Sequence, residues 1–361
     1  MNALATAQRR TGAIRRYRPG RAANGGDAGK LSSNEHPLGP SPAAVKAICA
    51  SAPEVHRYVT SDELRLVIAE HEGLDPDRIV VTNGSDELCY LTAMLTTGPG
   101  SPVILSEPCY QIDELVTRLH EAEPRYVPLK DGAHDLDAMA EASTGATLCW
   151  LPTPHNPTGR AVSALALESF LDRVSDDCVV VLDEAYRPFA GSEFVVDTRD
   201  LLDRHSNLLI QRTLSKAHGL AGLRVGYGLG PAELIGMIDA AKPPFNVNAV
   251  AVNAAAASLR DPAWADYGVD LVRKERKRFE DFLADRGIRH WPSEANFVTL
   301  TVEDTDRLQA ELARDGIVVR DGSDLGLPGY LRISIGRPPE MAVVRAAIER
   351  FQENDNGGAS R

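Results

Sequence analysis

Residues Arg212-Thr213-Leu214-Ser215-Lys216-Ala217-His218-Gly219-Leu220-Ala221-Gly222-Leu223-Arg224 follow the apolar run Leu208-Leu209-Ile210 and are rich in small residues and glycines. The stretch reads as the exit of a buried strand, and it isolates one lysine there. The chain has seven lysines, at 30, 46, 130, 216, 242, 274 and 277, and the other six fall in segments that read as arm, helix face or loop. An amine crowded by hydroxyls and by the Arg224 guanidinium is expected to hold its proton less tightly than a surface lysine. The neutral amine can then attack an aldehyde. That is the requirement of a Schiff-base enzyme.

Outward from Lys216, short β-rich runs alternate with helical stretches from about residue 78. The runs are Arg78 to Thr82, Val103 to Leu105, Arg125 to Leu129, Thr147 to Leu151, Cys178 to Leu182, Leu208 to Gln211 and Val225 to Leu229. Helical patterns lie between most of them, such as Asp86 to Leu95, Ile112 to His120 and Ala164 to Val174. Alternation of this kind predicts an α/β fold with a mostly parallel sheet covered by helices. Val225 to Leu229 follows Lys216 too closely for a helical crossover, so an antiparallel pairing is expected there.

The texture changes after Lys242-Pro243-Pro244. One long helical stretch through Leu283 leads to Ala295 to Leu300, a helix near Thr305 to Arg314, strands at Gly316 to Val319 and Tyr330 to Ile335, and a last helix to Phe351. The expected organisation is a flexible N-terminal arm over 1–30, a large domain over 31–244, a small α+β domain over 245–351 and a disordered polar tail over 352–361.

With 361 residues, 43% of them hydrophobic, the chain can bury a large core. No run of about eighteen apolar residues and no secretory core occurs, so a cytoplasmic protein is expected. Five cysteines without CxxC spacing point away from disulfides and zinc. A net charge of −12 disfavours nucleic-acid binding. The first thirty residues run the other way: Arg9, Arg10, Arg15, Arg16, Arg18, Arg21 and Lys30 stand against Asp27 alone. Pro19 and the glycines at 20, 25 and 26 interrupt any amphipathic helix of a transit peptide.

Ligands of open α/β sheets sit beyond the carboxyl ends of the strands, so polar residues following apolar runs are the candidates. Thr82-Asn83-Gly84-Ser85-Asp86-Glu87 is a glycine turn opening a helix, suited to a phosphate and equally to an ordinary N-cap by Ser85. Pro152-Thr153-Pro154-His155-Asn156-Pro157-Thr158-Gly159 is a proline-stiffened loop that would fix the Asn156 amide or simply make a rigid turn. Asp183-Glu184-Ala185-Tyr186 ends a nearly continuous apolar strand. A buried Asp183 needs a positive group, either a protonated pyridine nitrogen or an arginine. With Lys216 these groups describe a pyridoxal phosphate pocket: Lys216 for the aldehyde, Asp183 for the ring nitrogen, Asn156 and Tyr186 for the ring's phenolic oxygen.

Asn156-Pro157-Thr158-Gly159, Asp183-Glu184-Ala185-Tyr186, Ser215-Lys216-Ala217 and Gly222-Leu223-Arg224-Val225-Gly226-Tyr227 resemble the fold-type I aminotransferases that use pyridoxal phosphate, in the branch of histidinol-phosphate aminotransferase. The likeness runs from Tyr17-Arg18-Pro19-Gly20 and Leu31-Ser32-Ser33-Asn34-Glu35 to Leu331-Arg332-Ile333-Ser334-Ile335-Gly336. It implies that Tyr110 stacks on the pyridine ring, and that Ser85, Asp86, Thr213, Ser215 and Arg224 surround the phosphate. It implies a homodimer in which Tyr58 reaches the neighbouring cofactor. Arg332 would grip the substrate's carboxylate or phosphate, with Arg320, Tyr17 and Asn34 as further contacts; arginine suits that task through its two-pronged geometry.

Three histidines depart from the family pattern: His36 before Pro37, His155 before Asn156, and His218 after Ala217. None has metal-ligand spacing with the others, and His36 or His155 is expected to bear on substrate choice. The implied reaction is transamination from a glutamate-like donor to a 2-oxo acid or imidazole-acetol phosphate. A decarboxylase or lyase on the same fold remains the nearest rival. A nicotinamide enzyme would want a G-x-G-x-x-G turn after the first strand, and none is present. A cofactor-sensing regulator would want a DNA-binding module that the arm is too short to hold.

Overall fold

A computed structural model of the chain describes residues 3–12, 14 and 29–358. Among these, the strands form two sheets. The smaller contains β1 (Lys30–Leu31), β9 (Phe297–Thr301), β10 (Val318–Asp321) and β11 (Tyr330–Ser334). The larger contains β2 (Ile79–Thr82), β3 (Pro102–Glu107), β4 (Glu123–Pro128), β5 (Leu148–Pro152), β6 (Val179–Asp183), β7 (Leu208–Thr213) and β8 (Gly226–Leu229). Its order is β2-β8-β7-β6-β5-β3-β4, parallel throughout except for β8, which runs antiparallel to both neighbours. The α/β fold expected from the sequence, with its one reversed strand, is therefore present.

The central strands are apolar along most of their length because both faces are covered, and turn polar only near their carboxyl ends. Successive side chains go to opposite layers. Val80, Val181 and Leu209 pack with Leu88, Leu91 and Ile235 on one side. Val81, Val180, Leu182 and Ile210 pack with Leu64, Ile68, Leu167 and Leu201 on the other. The first layer is supplied by α4 (Gly84–Thr96), α5 (Gln111–Leu119) and α9 (Ala232–Ala241). The second comes from α2 (Pro42–Ser51), α3 (Asp62–Glu72), α6 (Leu136–Ala142), α7 (Ala164–Leu171), α8 (Thr198–Arg204) and α10 (Ala249–Leu259). Local chemistry sets their ends: Ser41, Ser163 and Asn248 each accept a bond from the third residue beyond them, and Gly73 closes α3 in the left-handed region. No helix among the described residues is long and apolar enough to cross a membrane.

Four expectations are corrected. The long helical stretch is two helices, α10 and α11 (Pro262–Asp285), because Pro262 has no N–H and can only start a helix. Helix α10 packs against α2 and α3 in the large core, not in the small domain, so the change of texture at 244 is not where the packing changes. Its alanines at 251, 254 and 255 are fully buried, which lets backbones approach closely. Leu31, read as the start of the large domain, instead belongs to the small core of α11, α12 (Thr305–Arg314) and α13 (Pro338–Gly358) through β1. Part of the arm and part of the tail carry helix, which the sequence did not lead one to expect there. Ala3–Gly12 is helix α1, with Arg10 paired to Glu121 at 2.8 Å, and α13 continues past Phe351 to Gly358. Extending an existing helix costs far less than starting one.

Candidate active site

Strands β5, β6 and β7 end on one side of the large sheet, and the small sheet faces that end. Between them lies a cavity of about 480 Å³. Lys216, Asp183, Tyr186, Asn156, Thr213 and Ser215 line it from the strand ends; Ser85, Asp86, Tyr110 and Arg224 line it from α4, α5 and the loop before β8. Asn34, Arg320 and Arg332 line it from the small domain's side. Scattered over three hundred positions of sequence, these residues converge because each ends a buried element. Among the described residues, no group of three or more His, Cys, Asp or Glu could hold a metal ion.

The Lys216 Nζ donates to the Ser33 carbonyl at 3.3 Å and lies 5.8 Å from the Tyr186 ring centre. Its pKa is lowered to about 8, by burial first and then by the Arg332 charge, with Arg224 a lesser contributor. The amine is thus easily deprotonated, as the sequence suggested, but the guanidinium chiefly responsible is Arg332.

Asp183 is 8% exposed at the end of β6. Among the described residues it makes no ion pair: its carboxylate accepts from Ala185 N at 2.9 Å and from Gln211 Nε2 at 3.0 Å. The arginine that could have neutralised it, Arg212, is committed elsewhere. Its guanidinium donates to Glu184 at 2.6 and 2.8 Å and to Thr198 at 2.6 Å, and pairs with Glu72. Burial pushes the Asp183 pKa up to about 6. An anion at neutral pH, buried without a countercharge, is what a pyridinium nitrogen would stabilise. Gln211 was not among the sequence candidates. It ends the apolar run of β7 in register with Asp183, so the rule of collecting polar residues at strand ends, applied one position earlier than Arg212, would have found it.

Helix α4 begins at Gly84 with Asn83 as N-cap, and no side chain caps its first turn. Ser85 is the second helical residue and not the cap. The free N–H groups and the helix dipole suit a phosphate. Gly84 has φ +76°, and a Cβ there would come within 2.6 Å of Arg224 Nη2. Gly226 is equally constrained, since a Cβ would meet Ser85 N at 2.5 Å. Asp86 accepts from Arg224 Nη2 and from the Tyr110 hydroxyl, each at 3.1 Å, and so orients both. Thr213 and Ser215 hydroxyls lie 2.8 Å apart. The cradle of a helix start, two hydroxyls and a guanidinium fits a phosphate monoester, and the charge at Asp183 fits the ring that would carry it.

On the opposite wall, Arg332 donates from Nη1 to Asn156 Oδ1 at 2.5 Å and from Nη2 to the Ser32 carbonyl at 3.1 Å. Asn34 donates from Nδ2 to the Tyr186 hydroxyl at 2.9 Å and is itself fixed by Ser334 and Asn296. Arg320 stands beside Arg332, with Asp324 at 3.7 Å. Two neighbouring buried guanidinium groups in a cavity make a receptor for an anion.

Tyr58 does not line this cavity. It is 84% exposed and stacks on Phe245 with ring centres 4.8 Å apart. Tyr17 lies outside the described residues. None of the three unusual histidines lines the cavity either. His155 is fully buried, bonded to Thr158 at 2.9 Å and to Ser106 and the Pro108 carbonyl at 3.2 Å, and edge-on to His134. His36 accepts from Leu38 N at 3.2 Å and abuts Gly268 of α11; His218 bonds Ser258 at 2.9 Å. Burial lowers the pKa of His36 and His218 to about 4. The expectation that His36 or His155 bears on substrate choice meets this geometry: neither lines the cavity, His155 being held by Thr158, Ser106 and Pro108 and His36 by Leu38 and Gly268.

Residues 27–351 match the family model for aminotransferases of class I and II. The chain belongs to that family. Histidinol-phosphate aminotransferase 1 of Cupriavidus pinatubonensis is 38% identical over 328 residues, covering 89% of this aminotransferase and 87% of its own length. Histidinol-phosphate aminotransferase 2 of Haemophilus influenzae is 38% identical over 315 residues, covering 86% of each. The crystal structure of histidinol-phosphate aminotransferase from Sinorhizobium meliloti in complex with pyridoxal-5'-phosphate superposes with a TM-score of 0.83 at 27% identity, over 96% of this chain and 93% of that one. The aminotransferase family and the α/β fold inferred from the motifs are both found.

Proposed function

We propose that this aminotransferase carries pyridoxal 5'-phosphate on Lys216 and passes an amino group from a glutamate-like donor to an acceptor bearing a second anionic group, a 2-oxo acid or imidazole-acetol phosphate. The observation that carries this reading is Asp183, a buried carboxylate that pairs with no cation among the described residues, facing the same cavity as a lysine poised to lose its proton. When bound, the cofactor supplies an aldehyde carbon for the amino group and a ring that takes up the electron pair of the substrate's α-carbon. Asp183 keeps the ring nitrogen protonated. Asn156 and Tyr186 face the phenolic oxygen, Tyr110 covers the ring, and Ser85, Thr213, Ser215 and Arg224 hold the phosphate beside the α4 start. Arg332 and Arg320 hold the substrate's anion. Lys216 Nζ, once the substrate amine has replaced it, would carry the proton away from the substrate's α-carbon; water would then release the oxo acid and leave the amino group on the cofactor, from which the acceptor collects it with loss of a water molecule.

The rival decarboxylation or elimination is not favoured by the two relatives at 38% identity, both of which are named as aminotransferases. The enzyme works as a homodimer in which the exposed Tyr58–Phe245 pair meets the neighbouring subunit and Tyr58 reaches its phosphate. Five cysteines without a disulfide suit the reducing cytoplasm. Borohydride reduction of the holoenzyme followed by peptide mapping is the test of the lysine; label on any other residue removes the reading. A panel of amino donors, followed by the change in visible absorption and by release of carbon dioxide, tests transamination. Turnover with imidazole-acetol phosphate compared with simple 2-oxo acids decides the acceptor.

A further inference from the structure

Behind Asp183, away from the cavity, a line of polar side chains crosses what is otherwise the apolar layer under α4 and α5. Gln211 Nε2 donates to Asp183 Oδ2 at 3.0 Å. The Cys89 thiol of α4 donates to Gln211 Oε1 at 3.3 Å, and the Asp113 carboxyl of α5 lies 3.9 Å from the same sulfur. Gln211, Cys89 and Asp113 are all buried, and their apolar neighbours in that layer include Leu88, Val116, Val181 and Leu209. Packing alone would be served as well by aliphatic residues at these positions, and a buried polar group is costly unless its bonds are complete.

The bonds have one consistent direction. An ionised Asp183 can only accept, so Gln211 must turn its NH₂ toward it and its carbonyl away. That carbonyl then takes the Cys89 proton. The thiol has one proton and gives it to Gln211, so the Asp113 carboxyl, 3.9 Å from the same sulfur, borders the relay as a neutral acid. Burial and the charges of Asp183 and Asp86 push the Asp113 pKa well up, in keeping with that state. The Cys89 thiol is likewise held protonated by burial and by the same carboxylates.

We infer that Gln211, oriented by Cys89 and Asp113, is a positioning residue that keeps Asp183 ionised and aimed at the ring nitrogen of the cofactor. This inference rests on the proposed role of Asp183 itself. The ionisable groups whose charge bears on Asp183 from its own side are Asp86 and Cys89 from α4, Asp113 from α5, and Glu184 and Tyr186 from its own loop, while Lys216, Arg224 and Arg332 line the cavity it faces. Among the described residues no cation pairs with Asp183, so the donors from Gln211 and Ala185 N carry the task of holding its charge.

The test is the dissociation constant of pyridoxal 5'-phosphate from the full chain, measured by titrating cofactor-free protein between pH 5.5 and 8.5. In Gln211→Leu the carboxylate loses a donor, and its proton is harder to remove. Affinity should be about threefold weaker near pH 6.5, should approach about tenfold weaker near pH 5.5 and should return to the wild-type value near pH 8.5, a shift of about one pH unit in the profile. Cys89→Val should move the profile the same way by less, and Cys89→Ser, which keeps a hydroxyl donor, should restore it. An unchanged profile in Gln211→Leu, or a loss by the same factor at every pH, overturns the inference. If Gln211→Leu does not fold, coincident profiles for Cys89→Val and Cys89→Ser overturn it instead. Asp183→Ala separates the two levels: if that variant keeps wild-type affinity and pH dependence, it is the role of Asp183 that fails and not only the relay behind it.

Discussion

Arg320 and Arg332 stand directly opposite each other on β10 and β11, register partners in an antiparallel pair, and they are 4% and 6% exposed. Like charges facing across strands oppose folding by about 0.2–1 kcal/mol even at ordinary sites. On the proposed function the pair would serve as a preformed receptor, with Asp324 at 3.7 Å offsetting part of the repulsion until an anion enters. Arg320→Met should raise the melting temperature of the ligand-free enzyme while lowering kcat/KM for the anionic acceptor by about 10²-fold, the effect of losing one or two charged hydrogen bonds. Calorimetry beside steady-state kinetics checks both; a fall in both stability and kcat/KM would mean that Arg320 is structural.

Asp183 predicts a pH signature in the cofactor-free protein. Its folded pKa, about 6, lies above the unfolded value of 3.8, so folding binds a proton between those limits. Its contribution to stability is complete below the unfolded value and is lost as pH rises through about 6. Asp183→Asn should accordingly match or trail wild type at pH 4 and be the more stable of the two at pH 8. Addition of pyridoxal 5'-phosphate should reverse the order at pH 8, since only wild type gains a countercharge. Melting curves at the two pH values, with and without cofactor, read this directly.

The buried histidines set a different window. His36, His134 and His218 are lowered to about 4 and His155 lies well below its usual 6.5, so the unfolded chain binds more protons than the folded one as acid is added. Stability should fall as pH drops below about 6.5. His155→Asn should cost about 1–3 kcal/mol through lost hydrogen bonds to Ser106, Thr158 and Pro108. The ratio of kcat/KM values among amino donors should not move, nor should it in His36→Asn. A changed ratio would return these residues to substrate selection.

Gly226→Ala examines the phosphate cradle without touching a charged group. The added methyl would press on Ser85 N and the Gly84 carbonyl carbon, both backbone, so the start of α4 must shift. Overpacking of this kind costs about 1–3 kcal/mol. Cofactor affinity should drop by at least tenfold, measured by equilibrium dialysis, with Lys216 still the labelled residue. Undiminished affinity would show that the α4 start is not where the phosphate binds.

The strands of the large sheet were legible because strands covered on both faces are written as unbroken apolar runs, and the reversed β8 because too few residues precede it for a crossover. Asp183 stood out because it ends such a run, and Lys216 and Asn156 because they lie in the small-residue and proline-rich loops just after one. What escaped depends on partners far away in sequence. Lys30-Leu31 has no periodicity of its own and is a strand only because Val318-Val319 lies beside it. An alanine-rich helix buried on almost every side, α10, shows no stripe to assign it to one domain. Gln211 looks like the last residue of a strand until Asp183 is placed next to it. Motif position located the three histidines but could not say which way their rings point.

The pairing of β1 with β10 joins the beginning of the chain to its end. A ribosome releases Lys30 and Leu31 long before Val318 and Val319 exist, so the smaller body must wait, its first strand idle, until β10 has been made. Ser33 and Asn34, which touch Lys216 and Tyr186, lie just beyond that strand. Lys216 therefore acquires these neighbours only after every strand of the large sheet has been made, and a chain cut short before β10 should be disarmed although its large sheet is complete.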